Sequence, residues 1–249
     1  MHTLDADVRS PEPRPAPVER WRTVAQVVGE ALVTAGLVVL LFVVYELLVT
    51  DVITDRRQDE LSQQLHEDWD RSPTVLPVHE SKVGDAFGVL HIPRLGLDYE
   101  RVVLEGTQER QLSQGPGHYE GTAMPGEQGN VSFAGHRVGK GSPFLELDIL
   151  QAGDPIVVET SDTWFVYRML GDADPSGIPG RQIVRPEDIE VISPTPGAAE
   201  NAPPTGAYLT LTTCHPRYSA EQRMIIHARL DATVSKAESP NGPAALNER

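Results

Sequence analysis

From Ala31 to Val49 the chain reads ALVTAGLVVLLFVVYELLV, nineteen residues with one charge, Glu46, near one end. At about 1.5 Å of rise per residue, such a helix nearly spans a hydrocarbon layer of about 30 Å. A helix buried in a soluble core presents one apolar stripe, whereas this run is apolar all round. It is also long for the apolar part of an export signal, and no A-x-A-like cleavage site follows Tyr45. The run therefore reads as a retained membrane anchor, assigned to residues 24–50. Arg9, Arg14, Arg20 and Arg22 precede it, against Arg56 and Arg57 after it. That bias favours a cytoplasmic N-terminus, with the rest of the chain extracytoplasmic.

The anchor divides the remaining sequence. Residues 1–23 contain SPEPRPAPVER, a Pro-rich polar segment expected to be a disordered cytoplasmic tail. Residues 51–83 are polar and charged. They read as an extracytoplasmic stalk with a short helix over RRQDELSQQLHEDW. Residues 231–249 show no apolar periodicity and are expected to be a loose C-terminal tail. The formal net charge of -15 and the lack of a basic stripe argue against a nucleic-acid partner.

Residues 84–230 carry the folded domain. Its apolar runs are short, alternating and separated by Gly and Pro: FGVLHI, YERVVL, NVSFAG, PIVVET, TWFVYRML, YLTLTT and RMIIHARL. This pattern predicts an all-β sandwich or barrel, with brief helices near TQERQL and SPFLELDIL. Residues 171–207 form a long excursion, and long excursions in compact domains are usually functional or mobile.

Cys214 is the only cysteine, so it cannot form an internal disulfide. Such a thiol is either an inert core group or a reactive one. Side chains alternate faces along a strand. In YLTLTTC, Leu209, Leu211 and Thr213 share the apolar face, and Cys214 falls opposite, with Thr210 and Thr212. In RMIIHARL, Met224, Ile226, Ala228 and Leu230 form the apolar face, and Arg223 lies on the other. A polar loop, HPRYSAEQ, joins the two runs, so a thiol and a guanidinium would meet at one end of a shared surface. Only a thiolate attacks, and histidine is its usual partner. His136 ends the run NVSFAGH on the face opposite Val131 and Phe133, before a Gly-rich loop, which makes it a fair partner. His118, in the turn-rich GPGHY, is expected to be a structural hydrogen-bonding group. C-x-x-C and H-x-x-x-H spacings are absent, so neither metal nor cofactor is expected.

These residues resemble a known family. TLTTC at 210–214 is similar to the motif that ends in the nucleophile of sortases, membrane-anchored cysteine transpeptidases. Arg223 stands nine residues on, where the family's essential arginine opens the next strand. GNVSFAGHR at 129–137 resembles the segment with the catalytic histidine, and GPGHYEGTAMPGEQGN resembles the sequence upstream of it. TTCHPRYSAEQR and the single N-terminal anchor resemble the class E enzymes of Gram-positive actinobacteria.

The resemblance implies an eight-stranded β-barrel over 84–230. It implies action on secreted proteins that bear a C-terminal LPXTG-type sorting signal, with LAXTG as the class E variant. Cleavage would fall between Thr and Gly through a thioester, and the acyl group would pass to a peptidoglycan precursor amine. Cys214 would be the nucleophile, His136 the general acid and base, and Arg223 the stabiliser of the oxyanion or of the substrate backbone. Thr213 would contribute either a contact to the peptide or packing. Two other readings fit the same residues: a surface cysteine peptidase that mainly hydrolyses, and a non-catalytic β-barrel binding module on a membrane tether.

Overall fold

The computed structural model describes residues 18–45, 50–71, 81–199 and 201–248. The chain falls into two compact units, residues 1–45 and 46–249. The first unit is helix α1, Val18–Val44, whose stretch Trp21–Val44 is apolar enough to cross a membrane and buries none of its surface. At about 1.5 Å per residue, that stretch is roughly 36 Å long. Residues 18–23, expected to belong to the Pro-rich tail, are therefore part of the helix. The tail over 1–17 and the anchor residues 46–49 lie outside the described residues.

The second unit is a β-barrel with few helices. Its strands are β1 (Ala86–His91), β2 (Glu100–Glu105), β3 (Gly117–His118), β4 (Gly129–Ala134), β5 (Pro155–Glu159), β6 (Thr163–Met169), β7 (Arg181–Val184), β8 (Ala207–His215) and β9 (Gln222–Ser235). Eight of them close a ring in the order β1-β2-β3-β4-β8-β9-β6-β5, with β5 pairing back to β1. β7 adds to the first half of β9, in line with β6, which takes the second half. All neighbours are antiparallel except β2–β3 and β4–β8.

The seven apolar runs in the sequence all appear as strands. β3, two residues inside a turn-rich segment, and β7, partly exposed, carry no readable alternation. The expected brief helices are α3 (Glu109–Leu112) and a 3-10 turn at Leu147–Ile149. Inside the ring, Val131 and Phe133 of β4, Leu209 and Leu211 of β8, and Met224, Ile226 and Ala228 of β9 join one core with Leu90, Ile156 and Tyr167. The interior parity of β4, β8 and β9 is thus the one the alternation predicts.

Two boundary expectations give way to packing. The short helix expected within the stalk over 51–83 is present as α2 (Thr50–Arg71), but it is longer and lies docked on the barrel. Leu61, Leu65 and Trp69, spaced by four, form one face that packs on Val89 and Val102. Gln58 on α2 accepts from the Val102 N–H at 2.6 Å, and its amide donates to the carbonyls of Gln114 at 2.6 Å and Val102 at 3.3 Å. β3 is too short to pair with β2 at Val102, so this side chain takes the place of a strand neighbour. Gly115 is required beside it, because a Cβ there would overlap the Gln58 amide. Residues 72–80 of the expected stalk lie outside the described residues.

The tail expected to be loose from Asp231 instead continues β9 to Ser235, paired with β6. Ala232 and Val234 pack with Trp164, and Ala245 of the 3-10 turn Ala244–Asn247 joins them. Lys236 pairs with the buried Glu159 at 2.6 Å and lies 4.2 Å from the Trp69 ring, so the tail bridges barrel and α2. The Trp164 indole donates to the Ser239 carbonyl at 3.1 Å.

Candidate active site

The parallel pairing of β4 with β8 brings their C-terminal ends to one rim of the barrel. The ladder runs from Gly129↔Ala207 to Ala134↔Thr212. Beyond it the Gly135 N–H donates to the Thr212 carbonyl at 3.1 Å. Continuing this register by two residues sets His136 level with Cys214. On the other side of β8, the antiparallel ladder with β9 places Cys214 directly opposite Arg223. His136, Cys214 and Arg223 thus occupy one row across three neighbouring chain segments, which in a sheet lie about 4.8 Å apart. All three have the outward parity, opposite the core residues Phe133, Leu211 and Met224.

Each group is partly accessible. Cys214 is a free, half-buried thiol. The His136 side chain is 26% exposed, and its Nε2 is shielded without a hydrogen-bond partner. The Glu109 carboxylate of α3 lies 3.8 Å from that nitrogen, within ion-pair range but beyond a hydrogen bond. Burial pushes the His136 pKa below the usual imidazole value. Glu109 pulls it back up, and Lys140 lowers it further. The Arg223 Nη1 donates to the carbonyls of Ala220 (3.0 Å) and Gln222 (2.9 Å) in its own turn, which leaves the rest of the fork for a ligand.

The row is braced from the interior face. Thr213 is 2% exposed, and its hydroxyl donates to the Gly135 carbonyl at 2.8 Å. The contact between Thr213 and a peptide raised from the sequence is therefore not made available. Strand parity turns this side chain inward, where it ties β8 to the segment that carries His136. A Cβ on Gly135 would come within 2.5 Å of the Phe144 ring, so only glycine fits beneath the row. The Phe144 N–H donates to the His136 carbonyl at 3.1 Å.

His118 and His91 are structural in position. His118 is 1% exposed, with Nδ1 2.8 Å from Glu105 and Nε2 2.8 Å from the Thr122 hydroxyl. His91 lies 2.8 Å from the buried Glu159. Among the described residues, no group of three or more His, Cys, Asp or Glu is placed to hold a metal ion. Sequence reasoning missed Tyr119, whose hydroxyl shares a hydrogen bond of 2.9 Å with Thr212, next to Cys214 on its face. It also missed Glu109, which comes from a four-residue helix with no motif of its own.

A groove of about 780 Å³ opens on the same outer side of β4. Residues 120–123 and 127–130 line one side, and residues 189–190 and 192–194 with Pro204 line the other. The second wall belongs to the excursion 171–207, held by the Asn130 amide, which donates to the carbonyls of Val191 (3.2 Å) and Ser193 (3.0 Å). The row of His136, Cys214 and Arg223 is not part of this groove. Asn130 and His136 are six residues apart on one face, about 20 Å along the sheet.

Residues 90–231 match the family described as Sortase domain. The chain belongs to the sortase family. Its relatives include Sortase SrtE1 of Streptomyces coelicolor, 37% identical over 232 residues, which cover 89% of this chain and 61% of SrtE1. Among solved structures, the SrtF sortase from Corynebacterium diphtheriae superposes with a TM-score of 0.64 at 37% identity, covering 68% of this chain and 95% of that one. Sortase E1 from Streptomyces coelicolor, solved with a tripeptide in its active site, gives 0.56 at 34% identity, covering 67% of this chain and 99% of that one. The eight-stranded ring of this sortase is the architecture its family resemblance implied.

Proposed function

We propose that this protein is a membrane-anchored sortase of the class E kind. It cleaves a C-terminal sorting signal of LAXTG or LPXTG type between Thr and Gly, and transfers the acyl fragment to an amine of a peptidoglycan precursor. The observation that carries this reading is the single cross-strand row of Cys214, His136 and Arg223 at the rim of the barrel.

In this reading the Cys214 thiolate attacks the threonine carbonyl, and a C–S bond forms as the carbonyl becomes an oxyanion. The Arg223 guanidinium, one position across the ladder, stabilises that charge. As the intermediate collapses, the C–N bond to glycine breaks and protonated His136 gives its proton to the leaving amine. Neutral His136 then accepts a proton from the incoming amine as it attacks the thioester. The Cys214 thiolate leaves, and the cycle closes. The groove beside Asn130 shares the outer face of β4 with the row. An extended pentapeptide spans about 17 Å, close to the separation between groove and row, which suits a signal laid along this face.

The apolar helix α1 supports attachment to a bilayer, and the arginine bias around it favours a cytoplasmic N-terminus with the barrel outside. The test is incubation of the protein with LAXTG and LPXTG peptides, with and without an amine acceptor, read by mass. A product joined through threonine to the amine is expected. Cleavage that yields only free acid at every amine concentration would make the protein a peptidase. Uncleaved peptide would leave a binding module.

A further inference from the structure

The backbone pairing between β4 and β8 stops just short of the reacting groups. The last ladder pair is Ala134↔Thr212, and the segment bearing His136 continues into a loop with left-handed backbone at Gly139, Lys140, Gly141 and Ser142. A segment about to enter such a loop needs side-chain ties if its imidazole is to stay level with the thiol.

Arg137 provides one. It follows His136 with the opposite parity, so it points to the interior face, beneath the row. Its side chain is 3% exposed. Nη1 donates to His215 Nδ1 at 3.0 Å, Nη2 lies 3.0 Å from Asp148 Oδ1, and Nε donates to the Leu145 carbonyl at 3.4 Å. Nη1 is also 3.9 Å from the Met224 sulfur, on the core side of β9. His215 directly follows Cys214, so the Arg137–His215 bond joins the two residues immediately beyond the proposed reacting pair. Asp148 sits in the 3-10 turn Leu147–Ile149 and is also bound by Arg217 at 3.2 Å. A buried guanidinium is costly unless its donors are paired, and these partners come from three separate segments.

We propose that Arg137 is the positioning residue that locks the His136 segment to the Cys214 segment across the β4–β8 seam, with Asp148 as its anchor. This rests on the assignment of Cys214 and His136 as the reacting pair. Arg137 faces away from the groove, so it acts through His136 and not on the peptide. Lysine cannot replace it, because one ammonium lacks the planar fork that reaches His215 and Asp148 together.

The test uses the full chain in detergent, with rapid-quench measurement of thioester formation on an LAXTG peptide. In Arg137→Lys the acylation rate constant should fall ~10- to 100-fold, as expected when a reacting group is misplaced by about an ångström. KM should stay within about twofold, on the scale of a tenfold effect, and the burst should still approach one acyl group per chain. Alkylation of Cys214 in this variant should follow the pH profile of His136→Ala. Asp148→Asn should show a smaller fall in the same direction, and it decides the matter if Arg137→Lys does not fold. Wild-type acylation rates in the folded variants would overturn the proposal. So would a loss confined to burst amplitude, which marks a merely structural role. Turnover that survives in Cys214→Ala or His136→Ala would instead overturn the catalytic assignment beneath it.

Discussion

Cys214 and Arg223 are directly opposed residues in the antiparallel ladder of β8 and β9. The thiol and the guanidinium therefore belong to one cross-strand pair, and the ladder fixes their separation more tightly than a loop contact would. His136 completes the row from the parallel side. Cys214→Ala and His136→Ala should each abolish transfer of a sorting peptide to an amine while the thermal melt stays near wild type. Arg223→Lys should lower kcat/KM by ~10²–10³, the usual cost of losing one oxyanion donor. Peptide turnover read by mass checks all three.

The protonation of His136 is set first by burial and then by two opposed neighbours. Burial lowers its pKa, Glu109 raises it and Lys140 lowers it. Glu109→Gln should shift the His136 titration to lower pH, and Lys140→Gln should shift it to higher pH. The imidazole signals of His136, followed by NMR against pH, read this directly. The limb of kcat/KM that depends on protonated His136 should move in the same direction in each variant. A titration unmoved by both changes would remove α3 from the site's electrostatics.

His227 is a second titrating group, outside the reaction. Thr210 donates to Asn130 at 2.8 Å, so its oxygen accepts from the His227 Nδ1–H at 2.9 Å. The Gln182 amide then donates to His227 Nε2 at 3.0 Å. The bond at Nε2 requires a neutral ring, whereas Nδ1–H donates in either state, and burial depresses the pKa to about 4. The unfolded chain binds this proton near pH 6.5 and the folded chain only near 4. Stability from this group is therefore complete above pH 6.5 and is lost as pH falls toward 4, by roughly 3 kcal/mol in all. Denaturant midpoints measured from pH 7 to 4 should drop less steeply for His227→Gln than for wild type. Identical slopes would show that the ring takes up its proton as readily in the fold as in the unfolded chain.

Docking of α2 joins the apolar face of Leu61, Leu65 and Trp69 to the hydrogen bonds of one amide. Gln58→Ala leaves the Val102 N–H without its bond, and the Val102 and Gln114 carbonyls without theirs, at a cost of about 1–3 kcal/mol. Hydrogen exchange should become faster at Val102 and along α2, while the β8–β9 ladder stays protected. Uniform loss of protection across the barrel would mean that α2 belongs to the cooperative core.

The C-terminal strap gives a related expectation. Removing residues 236–249 takes Lys236 from the buried Glu159 and uncovers Trp164. Tryptophan emission should shift to longer wavelength, and the melting temperature should fall by several degrees, as a change of about 1 kcal/mol does in a domain of this size. Unchanged emission would place the strap off the Trp164 face.

The strands that carry the site were legible because two-residue alternation leaves its mark on the chain. Leu209 and Leu211 against Cys214, and Met224 and Ile226 against Arg223, assign core and groove faces without coordinates. The continuation of β9 past Asp231 went unread, because the strand bulges there and Ala232 and Val234 pack with Trp164 instead of joining Leu230 against the interior core. The docking face of α2 was written in Leu61, Leu65 and Trp69, yet a helix-spaced stripe does not say what it packs on. β3 and β7 left no mark, because two residues in a turn and four half-exposed ones make no pattern.

Local sequence thus sets which residues are apolar, where an apolar helix can lie in a membrane, and which way Cys214, His136 and Arg223 face on their own strands. Those are properties of near neighbours along the chain, with periods of two or 3.6 residues. Sequence alone leaves open that β4 and β8 pair in parallel, with Ala134 opposite Thr212. That pairing joins segments some eighty residues apart and depends on closure of the whole ring. The tertiary fold therefore brings His136 level with Cys214, places Arg137 and Thr213 beneath them, and brings Glu109 to the imidazole. Register between distant strands is decided by the packing of every strand between them.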